Sequence, residues 1–464
     1  MDIQNLYSLF QSSNGVSIDS RSIEKDEIFF SIKGENFDGN RFALDAIDKG
    51  AKFSIVDDPQ LKNKNERIIF VENSLKELQN LSKFNRSKFD VKVIGLTGSN
   101  GKTTTKKLIC SILSEKYKTL CTYRNLNNHI GVPLTLLNIK PETEVAVIEM
   151  GANHIGEIQN LCEISMPDIG LITNFGSAHL EGFGSLKGVI KGKTELYKYL
   201  IKNYGHILLN NDDSLQKEEC KSDLYTSYGK GNSSDFIFKY KKEDDKLVLS
   251  SNDYEFSCKI YGDYNFPNIA SAISIGKILD LDNDEIQNGL NKFQTEANRS
   301  EVLEYHGNKI YLDAYNANPS SMIAALDNFN RESQNNKIII LGDMHELGSF
   351  SKDEHLKIIN HLDKMDFESV YLIGKIFSSL NTSDSRFKKF NDIEELIKEL
   401  DLTQIKDKSI KGINVRFQVV KDFPSKELRS LIDQGKKDLK EGIIIAYTIM
   451  DKKIGIAVGV TSSL

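Results

Sequence analysis

The glycine-rich segment GLTGSNGKTTT (residues 95–105) constrains the fold of this chain more than any other segment. It follows the apolar run VKVI and precedes a helical pattern from Thr103 to Tyr117, so its glycines join a buried strand to a helix. In this setting backbone N–H groups and the helix dipole bind phosphate. The sequence therefore predicts an α/β domain with a phosphate site at the end of a strand.

The segment departs from the usual phosphate-loop pattern at one position. The pattern G-x-x-x-x-G-K-[ST] requires glycine where the chain has Leu96, and the glycines lie at 95 and 98 instead. The alternative is a glycine-rich turn that only caps a helix. We favour phosphate binding, because Lys102 can reach the terminal phosphates and the Thr103 hydroxyl can bind Mg²⁺.

Further strands and helices alternate after this loop. EVAVIEMG (144–151), DIGLITNFG (168–176) and HILLNNDD (206–213) are apolar and end in turn residues. Such alternation predicts a mostly parallel sheet covered by helices, with ligands at the carboxyl ends of its strands. Glu149 closes one of these strands and is a candidate metal-binding carboxylate, although a lone glutamate after a strand is more often solvent-facing.

The chain length predicts several domains, because 464 residues exceed one ordinary core. We place a first domain at 1–82 and a central domain at 83–299. A third α/β domain at 300–410 contains the strands NKIYLDAYN, NKIIILGDM and ESVYLIG. A tail occupies 411–464.

Composition and cysteine spacing exclude some classes of protein. The net charge of -6 argues against nucleic acid as the main partner. The five cysteines form no C-x-x-C pair and no metal-finger spacing, so we expect reduced thiols and a cytoplasmic protein. The N-terminus has no signal-peptide pattern, and no apolar run approaches the roughly 18 residues of a membrane span.

The segment SLKGVIKGKTELYKYLIK (185–202) has apolar residues at helical spacing, which predicts one amphipathic helix. Lys193 falls on its apolar face, whereas Lys187 and Lys191 fall on the polar face. A lysine in that place either extends its amine to solvent, which is commoner, or has a special partner. His179, just after a strand, is a possible ligand nearby, although a lone histidine is more often structural.

Several segments carry a family resemblance. TGSNGKTTT, EMGANHIGEI, NFGSAHLEGFGS and KTE resemble the central domain of the Mur ligases of peptidoglycan synthesis, which folylpolyglutamate synthetases share. DSRSIEKDEIFFSIKGENFDGNRFALDAIDKGA, NLNNHIGVPLTLL, YNANPSSM and LGDMHELG are most similar to the Mur ligases that add D-alanyl-D-alanine to UDP-N-acetylmuramoyl-tripeptide. The resemblance covers about residues 15–410.

The resemblance implies a fold and a reaction. The fold is a three-domain α/β architecture with a UDP-sugar-binding first domain, a central parallel-sheet ATPase domain and a Rossmann-like third domain. The reaction joins a carboxylate to an amine through an acyl-phosphate, releasing ADP and phosphate. We expect a monomer.

The resemblance also implies roles for individual residues. ATP would be bound by Gly98, Ser99, Asn100, Gly101, Lys102, Thr103, Thr104, Asn268, Arg299 and Asp313, with Asn268 at the adenine and Tyr264 in place of a frequent histidine. One Mg²⁺ would be held by Thr103 and Glu149, and a second by His179 and by Lys193 as a carbamate formed with CO2. The catalytic set would be Lys102, Glu149, His179 and Lys193.

Two further groups correspond to the substrate sites of that family. The UDP-sugar region matches Asp19, Ser20, Arg21, Lys33 and Gly34. The incoming dipeptide matches Tyr315, Asn316, Asn318 and Ser320.

The tail does not fit the family pattern. Mur ligases end with a strand, a Lys-Gly-Ser-Arg turn and a helix, whereas KDFPSKELRSLID and the strands up to GVT resemble the C-terminal domain of alanyl-tRNA synthetases. We therefore expect a junction near Lys411 and a third domain altered at its end. A divergent ligase terminus is the alternative.

Three other functions stay open from the sequence. The chain could be another Mur ligase or a ligase like folylpolyglutamate synthetase. It could also be a catalytically impaired chimera with an RNA-associated tail, although the acidic balance weighs against RNA binding.

Overall fold

The computed structural model describes residues 2–243, 246–296, 298–305, 307–332, 336–399, 406–410, 413–421, 428–439, 441–450 and 453–461. These form two compact units. The first comprises Met1–Ser333 with Met344–Leu362, and the second comprises Gln334–Asp343 with Asp363–Leu464.

The first part of the larger unit is a small α/β layer. Its elements are α1 (Ile3–Gln11), β1 (Val16–Ser17), β2 (Ile28–Phe30), β3 (Lys33–Gly34), β4 (Phe37–Asp38), α2 (Ala43–Asp48), β5 (Phe53–Val56), β6 (Ile68–Phe70) and α3 (Ser74–Arg86). The strands β1-β2-β5-β6 form a parallel sheet. Leu78 and Leu81 of α3 pack on it with Leu6 of α1, so the apolar face of each helix closes this core.

The centre of the larger unit is a seven-stranded parallel sheet in the order β13-β12-β11-β10-β7-β9-β8. Its strands are β7 (Lys92–Thr97), β8 (Thr119–Cys121), β9 (Val145–Glu149), β10 (Ile169–Ile172), β11 (His206–Asn210), β12 (Tyr225–Gly229) and β13 (Phe236–Ile237). The chain order reverses at β7, which lies between β9 and β10, and such a reversal opens a ligand crevice at the strand ends. The predicted parallel sheet is confirmed.

Helices cover this sheet, and a small antiparallel sheet adjoins it. The helices are α4 (Lys102–Leu113), α5 (Gly131–Leu136), α6 (Glu157–Ser165), α7 (Leu180–Phe183), α8 (Leu186–Lys193), α9 (Glu195–Lys202), α10 (Ser214–Glu219), α11 (Phe266–Ile278) and α12 (Asn283–Lys292). The added sheet is β14 (Lys239–Glu243), β15 (Lys246–Ser251) and β16 (Tyr254–Cys258). Its apolar residues share one core with β7, α4 and α11.

Two local expectations for this region are wrong. The single helix predicted for 185–202 is broken at Thr194 into α8 and α9. The thiols of Cys110 in α4 and Cys121 in β8 form a disulfide, so not all five cysteines are reduced. The prediction for Lys193 is confirmed, because its side chain is 1% exposed while Lys187 and Lys191 are exposed.

The third region, which is the predicted third domain at residues 300–410, contributes to both units. The larger unit holds β17 (Glu301–Tyr305), β18 (Asn308–Leu312), α13 (Pro319–Asn330) and α14 (Ser351–Leu362). β17 and β18 form an antiparallel hairpin, so NKIYLDAYN is not a strand of the third parallel sheet as predicted. That sheet lies in the smaller unit and consists of β19 (Ile338–Gly342), β20 (Ser369–Ile373) and β21 (Phe387–Phe390), with α15 (Lys375–Ser379) and α16 (Ile393–Glu399).

The tail forms a sheet in the smaller unit together with β22 (Lys406–Ile410), the last strand of the third domain. The elements of the tail are β23 (Ile413–Lys421), α17 (Leu428–Leu439), β24 (Ile443–Met450) and β25 (Lys453–Val460). Leu428 and Ile432 of the helix pack against Ile444 and Ala446 of β24 on one face of the sheet. On β25, Ile456 and Val458 are 66% and 60% exposed. The predicted junction at Lys411 and residues 422–427 of the KDFPSKELRSLID segment lie outside the described residues.

Within the described part of the chain, no helix has the length and apolar character needed to cross a membrane.

Candidate active site

A cavity of about 970 Å³ opens at the carboxyl ends of β7, β9 and β10, within the larger unit. The loops that follow these strands meet there, as expected for the point where strand order reverses. The predicted site residues that line it are Ser99, Asn100, Gly101, Lys102, Thr103, Thr104, Glu149, His179, Asn268, Arg299, Asp313, Tyr315, Asn316, Asn318 and Ser320.

The glycine loop between β7 and α4 is shaped by two close backbone approaches. Gly98 and Gly101 have φ of +148° and +79°, a region that side chains other than glycine rarely adopt. A Cβ at Gly98 would lie 1.9 Å from Thr173 Oγ1, and one at Gly101 would lie 2.5 Å from Asn268 Oδ1. Both positions therefore require glycine, and the loop leads directly into the N-terminus of α4.

Lys102 lies folded along this loop. Its Nζ donates to the carbonyl oxygens of Gly98 at 2.8 Å and Ser99 at 3.1 Å. Burial lowers the pKa of Lys102, and Glu149 opposes this shift. The amine is thus held beside the backbone N–H groups at the start of α4, and helix N-termini of this kind commonly bind phosphates in proteins.

Glu149 is buried at the end of β9 and binds three side chains. Its Oε1 accepts from Asn127 Nδ2 at 2.7 Å and from Thr103 Oγ1 at 3.3 Å. Its Oε2 forms an ion pair with Lys106 Nζ at 3.0 Å, and both side chains are at most 3% exposed. Glu149 and Thr103 therefore present oxygen atoms close together, the kind of ligand that Mg²⁺ prefers.

His179 lines the same cavity and is half-buried, whereas Lys193 is buried and does not line it. Burial is the main cause that lowers the pKa of His179, and Lys102 and Lys193 lower it further. Lys193 Nζ has no hydrogen-bond partner among the described residues and lies 5.3 Å from the centre of the Phe183 ring. Burial and then Lys102 hold the pKa of Lys193 well below its usual range. Burying an amine costs free energy unless the amine gains a hydrogen-bonding or charged partner.

Residues of the third region reach the glycine loop directly. Asn318 Nδ2 donates to Asn100 Oδ1 at 2.6 Å, and Asn100 Nδ2 donates to Ser320 Oγ at 2.9 Å. The Arg299 guanidinium stacks on the Tyr315 ring, with its carbon 3.6 Å from the ring centre. These contacts bring the YNANPSSM segment against the predicted phosphate site.

Comparison with known proteins identifies the family. The family described as "Mur ligase family, catalytic domain" matches residues 12–86, "Mur ligase middle domain" matches 96–276, and "Mur ligase, glutamate ligase domain" matches 298–410. The chain is 31% identical to a UDP-N-acetylmuramoyl-tripeptide–D-alanyl-D-alanine ligase of Bacillus subtilis, over 89% of this chain and 92% of the relative. The chain belongs to the Mur ligase family.

Other relatives agree with this assignment. The enzyme of the same name from Escherichia coli is 32% identical over 84% of this chain and 87% of its own. MurF from Acinetobacter baumannii superposes with a TM-score of 0.79 at 29% identity, covering 86% of this chain and 91% of that one. MurF from Thermotoga maritima in complex with ADP gives 0.73 at 28% identity, covering 84% and 92%.

These findings confirm the expected family, the Mur ligase architecture with a central parallel sheet, and the enzyme class. The chain is an ATP-dependent ligase that forms an amide bond. The last of the three family matches ends at residue 410. The likeness of the tail to alanyl-tRNA synthetases stays a prediction.

The predicted sugar-site residues of this Mur ligase do not line the cavity. Asp19 accepts a hydrogen bond from the Arg21 side chain, and this bond lowers the pKa of Asp19 to about 2. Lys33 Nζ lies 3.0 Å from Asp57 Oδ1, and Ser20 and Gly34 are close to these residues in the chain. The five residues lie in the first α/β layer, apart from the glycine loop.

Sequence reasoning missed several side chains that support this site. Asn127 and Lys106 bind Glu149, and Glu195 accepts the N–H groups of Gly156 and Gln159 at the start of α6. Lys106 could have been found in the way that Lys193 was, because it follows Thr103 by one helical turn on a buried face. Asn127 carries no such signal, because it lies in a loop.

The ion pair of Lys106 gives a stability prediction. Lys106→Met is expected to lower the free energy of unfolding by about 3–5 kcal/mol, because it leaves the Glu149 carboxylate buried without its cation. Lys107→Met, at the next and partly exposed position, is the matched control and should change little. Urea unfolding of both variants measures the difference, and equal midpoints would contradict the assignment.

Proposed function

We propose that this Mur ligase joins D-alanyl-D-alanine to the peptide carboxylate of UDP-N-acetylmuramoyl-tripeptide, with ATP as phosphoryl donor. The relatives at 31% and 32% identity carry the name of that enzyme. One observation in the structure carries the proposal. The glycine loop, the buried Glu149 and the YNANPSSM segment line one cavity, so a phosphoryl donor and an amine acceptor would meet there.

The reaction has two steps. An oxygen of the peptide carboxylate bonds to the γ-phosphorus of ATP as the bond to ADP breaks, which gives an acyl-phosphate. The free amine of the dipeptide then attacks the acyl carbon, loses a proton and expels phosphate, which leaves the amide. Lys102 and the N–H groups at the start of α4 would stabilise charge on the transferred phosphoryl group.

The donor set of this site fits Mg²⁺. Thr103 Oγ1 and Glu149 Oε1 already approach each other at 3.3 Å, and both atoms are oxygens. We propose that they hold one ion and that His179 and Lys193 help hold a second. When bound, the ions neutralise charge on the ATP phosphates. The four side chains would position the ions against the ATP phosphates.

Lys193 would serve as a carbamate. The neutral amine adds to the carbon of CO2 and loses a proton, which converts a buried group without a partner into a carboxylate. The isolation of Nζ supports this proposal, and so does the depressed pKa, because only the neutral amine reacts with CO2.

The remaining candidate residues are assigned to substrates by the same resemblance to Mur ligases. The dipeptide would bind near Tyr315, Asn316, Asn318 and Ser320, and ATP would also contact Asn268, Arg299 and Asp313, all at the cavity. The UDP-sugar would bind the first layer through Asp19, Ser20, Arg21, Lys33 and Gly34. We retain the domain division at 82, 299 and 410, and propose a cytoplasmic monomer.

The test is phosphate release that depends on the acceptor. Purified protein with ATP, Mg²⁺ and UDP-N-acetylmuramoyl-tripeptide should release phosphate when D-alanyl-D-alanine is added, with the pentapeptide product visible by mass spectrometry. D-alanine, diaminopimelate, lysine and glutamate serve as matched acceptors. Release driven by a single amino acid instead would indicate another Mur ligase or a folylpolyglutamate synthetase-like activity.

The tail gives a separate prediction. Ile338 and Ile340 on β19 are 51% and 59% exposed, so apolar surface of the third sheet is left uncovered as well as that of β25. We expect weak activity and low solubility, because uncovered apolar strands favour local opening and association. Replacing residues after Ile410 by a strand, a Lys-Gly-Ser-Arg turn and a helix should raise activity and thermal midpoint together. A fall in both would identify the tail as a genuine, divergent part of the ligase.

A further inference from the structure

A carboxylate from the third region faces His179. Glu346 Oε2 lies 2.5 Å from His179 Nδ1, although the two residues are far apart in the chain. This is an ion-pair contact, because Nδ1 is buried and forms no hydrogen bond of regular geometry among the described residues. A carboxylate oxygen can only accept, so its closeness favours the proton on this nitrogen. The other ring nitrogen, Nε2, then keeps its lone pair when the imidazole is neutral.

The loop that carries Glu346 is fixed on both sides. Met344 and Leu347 are 1% and 2% exposed, and the Met344 N–H donates to His355 Nε2 at 2.9 Å. Glu346 itself is half exposed at its side chain. The two buried neighbours therefore fix the main chain from which the Glu346 side chain extends.

The same loop also contacts the backbone beside His179. The carbonyl oxygen of Glu346 accepts the N–H of Glu181 at 3.1 Å, so Glu346 binds this segment through both its main chain and its side chain. A Cβ added at Gly348 would lie 3.2 Å from the Glu181 side chain, which shows how closely the two loops pack. The loop that carries Glu346 therefore packs against the segment after His179, and the contact is more than a single flexible ion pair.

Both partners have strained backbones. His179 and Glu346 have φ of +54° and +60°, in the left-handed region that such residues seldom adopt. Conformations of this kind persist where the surroundings impose them, often at functional sites. Here each strained residue directs its side chain at the other.

We propose that Glu346 is a positioning residue that orients His179, holding the proton on Nδ1 so that Nε2 is the nitrogen left to bind a divalent cation. The proposal rests on the proposed function, in which His179 helps hold the second Mg²⁺. Carboxylates that hold the far nitrogen of a metal-binding histidine fix its tautomer and its ring orientation. Because Glu346 comes from the third region, the cation site is complete only when that region packs against the loop after β10.

The test measures cation binding apart from turnover. Mn²⁺ is titrated into full-length protein with saturating ADP, and free Mn²⁺ is read by electron paramagnetic resonance. Glu346→Ala should weaken the weaker class of Mn²⁺ sites by about 10–100-fold. Glu346→Gln, whose amide oxygen still accepts from Nδ1, should recover much of that loss. Glu218→Ala is the matched control, since this exposed glutamate does not line the cavity and forms no ion pair among the described residues.

The protonated ring nitrogen is a second readout, which a purely structural role would not change. In protein labelled with ¹⁵N-histidine, the His179 ring signals are those lost in His179→Asn. They should report a proton on Nδ1 in the wild type and a mixture of tautomers in Glu346→Ala, with the thermal midpoint of the control. Unchanged Mn²⁺ affinity and unchanged ring signals in Glu346→Ala would overturn the proposal.

His179→Asn separates this inference from the function on which it rests. If this variant binds Mn²⁺ as the wild type does, the assignment of His179 to the cation fails, and the role of Glu346 fails with it. If His179→Asn loses the site while Glu346→Ala keeps it, only the positioning role is wrong.

Discussion

Lys102→Ala is expected to reduce ATP-driven phosphate release by about 10²–10³-fold, the loss typical of removing a group that stabilises charge in the transition state. Lys102 Nζ lies against the carbonyl oxygens of Gly98 and Ser99, within reach of the phosphates that the loop would hold. In phosphoryl transfer most of the catalysis is positioning and charge stabilisation, so one missing cation has a large effect. The measurement is the initial rate of phosphate release with all three substrates.

The control for Lys102 is a lysine on the same helix. Lys107→Ala removes the same charge from a partly exposed position that does not line the cavity, so its rate should stay near that of the wild type. Thermal unfolding should show that both variants are folded. Near-normal phosphate release by Lys102→Ala would remove this lysine from the site.

The sequence carries enough local information to predict the central sheet and its phosphate loop. A strand such as β7, which is buried after its first residue, appears as an apolar run, and the glycines after it appear where the backbone must turn sharply. Lys193 is visible for the same reason, because helical spacing alone puts a charged residue among apolar ones. These features depend on neighbours in the chain.

Features that depend on distant contacts are not visible in this way. Helical periodicity continues through Thr194, so the break between α8 and α9 leaves no trace in the pattern. The apolar strand β18 looks like a strand of the third sheet, yet it pairs with β17 as a hairpin. Glu346 resembles any exposed loop glutamate until folding brings it to His179.

The disulfide between Cys110 and Cys121 shows the same limit. The spacing of the cysteines in sequence gives no sign of a pair, because α4 and β8 meet only through the packing of the central sheet. A cysteine count indicates a redox compartment, but it does not indicate which thiols lie close together.

Lys193→Ala is expected to reduce ligase activity by about 10²–10³-fold, as removal of a transition-state-stabilising group does. The physical reason is that the variant lacks the carboxylate that CO2 would create on a buried amine. Short carboxylic acids such as formate and acetate should restore part of the lost rate, because they fit the space that the side chain leaves and supply the missing oxygens. The measurement is phosphate release across a concentration series of each acid.

The matched variant is Lys191→Ala, on the exposed side of the same helix, which should be close to wild type and insensitive to the acids.

The dependence of ligase activity on pH has a definite sign. The pKa of Lys193 is depressed by burial, so its neutral, CO2-reactive form persists to lower pH than that of an exposed lysine and is lost as pH falls through that lowered value. Wild-type activity should therefore fall on acidification and respond to added bicarbonate, whereas Lys193→Ala rescued by acetate should not respond to bicarbonate. An active Lys193→Ala beside an inactive Lys191→Ala would show that the helical face has been assigned wrongly. A Lys193→Ala variant that is inactive but unaffected by any acid would leave the lysine essential and remove the carbamate as its role.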